Sequence, residues 1–440
     1  MPKKVYIRTF GCQMNSRDSE LIASMLMEKG YKITEDETEA ELILFNTCSV
    51  RQHAEDRVIG AVHKLKSRKK KDLNLRIGIL GCMAKRHGDT LIKEYPQVDI
   101  VVGPSNIYDI PDILSRTAAS EKVVAVENTK RPRKKVEETY RAGAFSAFVN
   151  IMYGCNNFCS YCIVPHVRGR EVSRPKNDII DEIKGLVDKG YKEVTLLGQN
   201  VNSYGKSLTN KITFPELLEE VNGVGGLKRI RFTTSHPKDA DKALFRAIKE
   251  LDKVCEHLHL PLQSGSDKIL DLMNRKYEYS DYKKKVDLLR NLVPDVGIST
   301  DIIVGFPSEK TEDFDLTYKA MEDVEYNSAF IFKYSPRPPA VSSDLLDDVT
   351  DGMKRKRNSD LLFLQKNISL KKNKVMIGSL QEILVEGKSR MSDEELIGRT
   401  RNNTPCVFPG KEDLIGKLIQ VKITGTSPTT LKGERVAKDA

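Results

Sequence analysis

The sequence predicts an α/β protein in three parts: an N-terminal parallel sheet flanked by helices over residues 1–120, a β/α barrel, whole or partial, over 141–371, and a small β-barrel over 372–438. Three observations predict it. A chain of 440 residues is too long for one ordinary core and, at roughly 150 residues per domain, divides into about three. Up to residue 371, short β-prone runs alternate with stretches of helical apolar spacing, the pattern of parallel sheets covered by helices. Beyond it the pattern changes to short strands and turns.

Composition narrows the function classes. The hydrophobic share is 39%, no apolar run approaches the roughly 18 residues of a membrane span, and MPKKVYIRTFGC lacks the apolar core of a signal peptide. A cytoplasmic protein with no membrane contact is expected. Eight cysteines without an export signal then read as metal ligands or catalytic groups rather than disulfides, because the cytosol keeps thiols reduced. The net charge of +10 concentrates in KLKSRKKK (64–71), KRPRKK (130–135) and KRKR (354–357). Clustered cations gain affinity for phosphates by releasing counterions, so three runs point to a polyanionic partner.

In the first part, VYIRTF, ELILFNT and LRIGIL read as strands, with SRDSELIASMLMEKG and VRQHAEDRVIGAVHKLK as helices between them. Each strand ends at a cysteine: Cys12, Cys48 and Cys82. Ligands of open α/β sheets sit beyond the carboxyl ends of the strands, so the three are expected to converge. The competing reading is that free cysteines simply fill core positions. TKRPRKKVEETYRAG marks a linker near residues 125–142.

Six strands follow in the second part: AFVNIMY, KEVTLLG, LKRIRFTT, EHLHLPL, GISTDIIV and SAFIFKY. They run into a cysteine loop and then GQN, SHP, QSGS, GFP and SPRP, as expected of a barrel whose chemistry gathers at its C-terminal rim. In the third part QEILVEGK, CVFPGK, KLIQVKITGT and TLKGERV suggest a small β-barrel, a shape that often binds nucleic acid.

The cysteine loop, GCNNFCSYCIVPHVRGRE, holds Cys155, Cys159 and Cys162 and no fourth cysteine. A closed zinc site takes four ligands and disulfides take cysteines in twos, whereas three thiolates suit a centre with one open position. This spacing can wrap the corner of an iron–sulfur cube and leave one iron free. A zinc site completed by His166 is the alternative. Cys255 and Cys406 have no such partners and read as small hydrophobes.

CNNFCSYC, with FGCQMNSRDSE, FNTCSVR, LGCMA, YCIVPHVRGREVSR, LLGQNVNSYG, LPLQSGSDKILDLMNRKY and GRTRNN, resembles the methylthiotransferase family of radical S-adenosylmethionine enzymes over nearly the whole chain. The resemblance implies an N-terminal methylthiotransferase domain, a radical core built as a partial (β/α)6 barrel, and a C-terminal TRAM barrel that binds RNA. It implies two [4Fe-4S] clusters, one on Cys155, Cys159 and Cys162 that binds S-adenosylmethionine and an auxiliary one on Cys12, Cys48 and Cys82. The implied reaction converts N6-isopentenyladenosine at position 37 of tRNA to its 2-methylthio derivative. Two S-adenosylmethionine molecules are used, one methylating a cluster-bound sulfur and one giving the 5'-deoxyadenosyl radical.

Other targets within the family are a threonylcarbamoyladenosine tRNA or an aspartate of a ribosomal protein. A different class would be a non-catalytic iron–sulfur RNA-binding protein. On the family reading no side chain acts as general acid or base in the central step. Tyr161 is expected against the adenine, and Gln199, Asn200, Gln263 and Asp301 against the cofactor or base, with plain rim hydrogen bonding as the equal alternative for these four. Lys388, Arg390, Arg399 and Arg401 are expected to grip the anticodon stem-loop. An electron donor such as a flavodoxin or ferredoxin, sulfur or iron–sulfur carrier proteins, and a monomeric state complete the expectation. Two stretches depart from the family: RPPAVSS stands where relatives commonly read Arg-Pro-Gly-Thr, and GFPSEK where GFPGE is usual.

Overall fold

The structure is a computed structural model that describes residues 3–49, 52–116, 121–127 and 140–436. The first part is a six-stranded, wholly parallel sheet. Along the chain it runs β1 (Lys4–Phe10), α1 (Gln13–Glu28), β2 (Lys32–Ile33), β3 (Leu42–Thr47), α2 (Gln52–Lys64), α3 (Lys66–Lys71), β4 (Arg76–Gly81), α4 (Cys82–His87), α5 (Thr90–Glu94), β5 (Ile100–Val102), α6 (Ile110–Arg116) and β6 (Val123–Ala125). The strand order is β2-β1-β3-β4-β5-β6. Every residue of β3 and β4 is buried, because helices cover both faces, and so these strands read as unbroken apolar runs. Val58 and Val62 of α2 pack on one face with Phe45 and Ile79, and Ile22 and Leu26 of α1 on the other with Leu44 and Ile100. The short β5 and β6 carry the sheet past residue 120.

The second part holds the six expected strands. It runs β7 (Ser146–Asn150), β8 (Met152–Tyr153), α7 (Val164–Arg168), β9 (Val172–Ser173), α8 (Lys176–Asp188), β10 (Glu193–Leu197), α9 (Phe214–Asn222), β11 (Arg229–Thr233), α10 (Lys242–Glu250), β12 (His257–His259), α11 (Asp267–Leu272), α12 (Tyr279–Leu292), β13 (Gly297–Val304), α13 (Thr311–Val324), β14 (Ser328–Lys333) and α14 (Asp351–Val375). Local signals set several helix starts. In TFPELLEE, Thr213 Oγ1 accepts from Glu216 N and Glu216 Oε2 accepts from Thr213 N at 2.6 Å, the reciprocal cap that opens α9. The strands form two parallel sheets, β7-β10-β11 and β12-β13-β14, joined through a bridge between Ile230 and Val254. The barrel is therefore partial.

The N-terminal sheet docks on the barrel through charge. Glu182 of α8 receives Arg141 at 2.7 Å, Arg174 at 2.7 Å and Arg17 of α1 at 3.1 Å. Arg141 also meets Glu20 of α1 at 3.1 Å.

The third part is a closed five-stranded barrel of β15 (Leu380–Lys388), β16 (Glu395–Arg399), β17 (Pro405–Pro409), β18 (Leu418–Thr426) and β19 (Leu431–Arg435), in the order β15-β16-β17-β19-β18. It docks at the N-terminal ends of β10 and β11, opposite the rim. Buried Arg229 binds Glu382 Oε1 at 2.8 Å and the Arg399 carbonyl at 2.8 Å; Arg231 binds Glu193 at 2.9 Å and the Thr400 carbonyl at 2.8 Å.

Arg401, one of the expected RNA contacts, forks onto Glu256 at 2.7 and 2.8 Å and takes the Val254 carbonyl at 2.7 Å, so it fastens the C-terminal barrel to the second part. Lys388 pairs with Glu412 and Arg399 with Glu386 on the barrel surface, and Arg390 is exposed.

Two basic runs are also less free than their sequence suggests. In KRKR, Lys354 is buried against Asp347 and Arg357 against Glu309, because the i, i+3 spacing of a helix puts the first and last cations of the run on one inward face. In KLKSRKKK, Arg68 binds the Ala40 carbonyl and Lys69 binds Asp99. KRPRKK lies outside the described residues. Cys255 and Cys406 are buried, Cys406 within the C-terminal barrel core, where burial pushes its thiol up to about 12. Among the described residues no helix is long and apolar enough to cross a membrane.

Candidate active site

Register brings the first three cysteines together. Phe10 of β1 lies beside Thr47 of β3, and Thr47 beside Gly81 of β4. Cys48 and Cys82 thus each follow the level ends of adjacent strands, with Cys12 one residue further past the end of the next. Gly11, at φ +145°, makes the approach possible, since a Cβ there would overlap the Cβ of Cys48. Cys12 then caps α1 and Cys82 begins α4.

Cys12 is exposed. A hydrogen bond with Cys48 holds its thiol at about 6 against partial burial, helped by the charge of Arg168 and the backbone N–H of Asn15. Cys82 is buried, which pushes its thiol up, while Arg168 pulls the other way.

The second three sit on the loop between β8 and α7. Gly154, at φ +71°, opens it with its Cα tight against the carbonyls of Gly169 and Arg170, where a side chain would not fit. Cys155 and Cys159 are buried and Cys162 partly so; burial pushes Cys155 up to about 11 and Cys162 up to about 12.

Two donors face Cys159. Arg275 Nη1 lies 3.3 Å from its sulfur and His236 Nε2 lies 3.9 Å from it. His236 Nδ1 accepts the Lys238 N–H at 3.2 Å, which leaves its proton on Nε2, and burial holds the ring neutral with its pKa down at about 2. Arg275 is buried, and its other contacts are Tyr277 Oη, Tyr161 Oη and the Pro261 carbonyl, none of them a carboxylate. A buried cation needs a counter-charge. An anionic cluster on these cysteines supplies one, so the residues present fit it.

Among the described residues no His, Cys, Asp or Glu set converges on a single metal ion. His166, the fourth ligand of the zinc alternative, is exposed on α7.

One short helix joins the two cysteine sets. Ile163 and Val167 of the segment following Cys162 pack on Cys82, and Arg168 at the end of α7 reaches Asp18 at 3.0 Å and Asn15 at 3.4 Å beside Cys12. Between the two domains opens a cavity of about 830 Å³. Its wall includes Gly11 next to Cys12, Cys162, and three of the expected site residues, Tyr161, Gln263 and Asp301. Gln263 has φ +76° and a buried Oε1 without a partner; Asp301 stands 3.4 Å from His259 Nε2.

Gln199 and Asn200 lie beyond that wall. Asn200 donates to Asp239 at 2.8 Å and keeps a buried, unpaired Oδ1. Asn150 at the end of β7 and Ser235 after β11 also carry buried polar atoms without partners. Such atoms at a barrel rim are costly unless a ligand satisfies them, and they fit the polar groups of an amino-acid or ribose moiety. Sequence reasoning missed Asn150, Ser235, His236, Arg275 and Arg168. Their only local signal was membership of the stretches AFVNIMY for Asn150, SHP for Ser235 and His236, VRGRE for Arg168 and LPLQSGSDKILDLMNRKY for Arg275.

The two atypical loops have clear roles. Arg337 of RPPAVSS is buried, donates to Gln52 at 2.9 Å and stands 3.5 Å from Glu55, while Ser342 N–H binds the Ser160 carbonyl at 2.8 Å. The loop therefore clasps the Cys48 side to the Cys159 side. In GFPSEK, Ser308 takes φ +68°, the conformation glycine favours, and its N–H is held by Asp348 at 2.7 Å.

Glu55 is the hub of the clasp. Burial would raise its carboxyl, but the His87 ring 3.6 Å away, a hydrogen bond from Ser49 and the charge of Arg86 bring it below the ordinary value. Glu55→Gln is expected to lower stability by about 1–3 kcal/mol, because Arg86 and Arg337 lose their buried counter-charge. A urea midpoint equal to wild type would show that the clasp contributes nothing.

Comparison with known proteins follows the same three parts. Residues 4–103 match the uncharacterized protein family UPF0004, 149–321 the radical SAM superfamily and 374–436 the TRAM domain. The chain is 49% identical over 435 residues to the tRNA-2-methylthio-N(6)-dimethylallyladenosine synthase of Thermoanaerobacter pseudethanolicus, covering 98% of this chain and 92% of that one. It is 47% identical over 436 residues to the protein of the same name from Clostridium botulinum, with 98% and 96% covered. Among solved structures it is similar to the radical S-adenosylmethionine methyltransferase TsrM from Kitasatospora setae with cobalamin and a [4Fe-4S] cluster bound. That match has a TM-score of 0.55 at 13% identity, with 78% of this chain and 77% of that one covered. The cobalamin-dependent radical enzyme OxsB gives 0.51 at 10% identity, with 83% and 56% covered. At such identities these two show the fold alone.

Proposed function

The chain belongs to the tRNA-2-methylthio-N(6)-dimethylallyladenosine synthase family of radical S-adenosylmethionine enzymes, and on that premise we propose that it places a methylthio group on C2 of N6-isopentenyladenosine at position 37 of tRNA. The observation that carries the reading is the pair of cysteine triads, joined by α7 and flanking a cavity large enough for a nucleoside, whose wall holds Cys162 of one set and Gly11, the neighbour of Cys12, of the other. The radical domain takes a [4Fe-4S] cluster and S-adenosylmethionine, and we assign a second [4Fe-4S] cluster to Cys12, Cys48 and Cys82. When bound, these groups supply the electron, the hydrogen-abstracting species and the methylated sulfur, with two S-adenosylmethionine molecules used per turnover.

The protein's own part is placement. The C2–H of adenine is not acidic enough for a side-chain base, so no acid or base role is assigned. Arg275 and His236 direct N–H groups at Cys159. Asn150, Asn200, Ser235 and Gln263 offer their unpaired polar atoms to the cofactor. Tyr161, fixed by Arg275 and packed beside Met273 and Tyr334, walls the cavity as a flat apolar surface for a purine. The N-terminal sheet closes the open side of the barrel and keeps water from the reacting carbon.

A flavodoxin or ferredoxin as electron donor, sulfur or iron–sulfur carriers, a cytoplasmic setting and a monomeric state belong to the same reading. Mass spectrometry of tRNA nucleosides from cells lacking the gene tests it. N6-isopentenyladenosine is expected to accumulate in place of its 2-methylthio derivative. Normal levels of that derivative, with loss of a methylthio group from threonylcarbamoyladenosine, would overturn the substrate assignment.

A further inference from the structure

We propose that the exposed face of α14 is the track on which the anticodon arm lies between the C-terminal barrel and the cavity, an inference that rests on the tRNA reading above. α14 physically joins the two. Lys354 and Asn358 in its first turns line the cavity, and Asn373 near its end donates to the carbonyls of Ser427 and Pro428 in the C-terminal barrel at 3.0 and 3.3 Å. At 1.5 Å per residue, its 25 residues span about 37 Å. Because the barrel docks opposite the rim, RNA held by it has to cross this distance to place a base in the cavity.

The helix carries eight Lys and Arg against two Asp, and burial sorts them. Lys354 and Arg357 turn inward, while Lys356 pairs with Asp360 and Lys371 with Glu325. Arg355, Lys366 and Lys374 are exposed, with no ion pair recorded among the described residues. At 3.6 residues per turn, Arg355, Leu362 and Lys366 fall on one stripe, opposite the buried Leu361, Leu364 and Ile368; Lys374 lies about a quarter-turn round.

A merely solvated face would show the cations without apolar groups between them. Here Leu362 is 49% and Phe363 67% exposed. Phe363 borders a groove of about 620 Å³ shared with Phe314, Asp315 and Tyr318 of α13 and with the paired Lys356 and Asp360 of α14. Exposed aromatic rings among cations are what single-stranded nucleic acid uses, bases stacking on the rings while phosphates meet the charges. Asp315 in the groove disfavours a phosphate there and favours a neutral base. The free cations on either side of Phe363 then follow the backbone.

The test uses cluster-loaded, full-length protein and a fluorescent anticodon stem-loop RNA, with binding followed by anisotropy over a salt series. For the Arg355→Gln/Lys366→Gln/Lys374→Gln variant, the slope of log K against log salt is expected to flatten by about two, since each phosphate neutralised contributes roughly 0.7–0.9. Phe363→Ala is expected to weaken binding about tenfold with an unchanged slope, the loss of one stacked base.

Wild-type slope and affinity in variants with wild-type iron content and thermal midpoint would overturn the track while leaving the tRNA reading intact. Failure of the wild-type protein itself to bind the stem-loop would overturn both. If the triple variant does not fold, single Arg355→Gln and Lys366→Gln variants decide by a slope change of about 0.7–0.9 each or none. A dimer in sedimentation that the variants dissociate, with RNA binding unchanged, would assign the face to a second copy and overturn the proposal.

Discussion

Ala at Cys155, Cys159 or Cys162 is expected to abolish cleavage of S-adenosylmethionine while iron remains bound at Cys12, Cys48 and Cys82; Ala at any of the latter three is expected to do the reverse, with cleavage persisting and no methylthio product formed. The two triads rest on separate frames. One is a loop held by Gly154 and closed by α7; the other is three strand ends whose register is set by the β1, β3 and β4 ladder. Loss of one sulfur leaves the other frame intact.

Cys155→Ala is the cleanest variant of its set. Cys159 is the partner of Arg275 and His236, and its removal also strands a buried cation, at a cost of about 3–5 kcal/mol. Iron counts and chromatographic assay of deoxyadenosine read both outcomes. Equal loss of cleavage from both sets, in folded protein loaded at the untouched triad, would sink the division of labour.

Glu182→Gln is expected to destabilise the union of the N-terminal sheet and the barrel by about 3–5 kcal/mol, because the buried guanidinium groups of Arg17 and Arg141 and the partly exposed one of Arg174 lose their shared carboxylate. Burial alone would raise the Glu182 carboxyl, but Arg174, Arg17 and Arg141 outweigh it and hold it at about 2, against an ordinary 4.5. A carboxyl whose folded pKa is depressed stabilises the fold at pH above its unfolded value. Here that contribution is about 3 kcal/mol above pH 4.5, and it is lost as pH falls from there toward 2.

Wild type and variant are therefore expected to differ most at neutral pH and to converge near pH 2. The chain has no Trp, so far-UV circular dichroism in urea is the suitable measurement. A gap between the two that stayed constant from pH 7 to pH 3 would show that the carboxylate does not carry the pairing.

Much of the site was legible in one dimension because its determinants are local or periodic. Three strands each ending at a cysteine become a convergent triad once the strands lie adjacent and parallel, since register then levels their ends. The spacing of Cys155, Cys159 and Cys162 is a property of one loop. Helices, strands and the three-part division likewise follow from apolar periodicity over short windows. These features, with the resemblance they carry, sufficed for the fold class and the reaction, and they singled out the six cysteines that the structure brings together in two sets.

The roles of charged residues did not follow, because a charge is defined by what faces it, and its partners come from distant chain. KRKR reads as a surface patch, yet Asp347 and Glu309 bury two of its members. Arg401 reads as an RNA contact, but a barrel docked on the far end of β10 and β11 offers it Glu256. Arg275 and His236 stand at 116 and 77 residues' separation from Cys159, and Arg337 meets Gln52 across 285. Strand register and loop spacing, both legible along the chain, set which cysteine sulfurs stand together. Packing decided which charges face the cysteines, which fasten the domains and which stay at the surface, because desolvation and pairing depend on neighbours that it alone brings within a few ångströms.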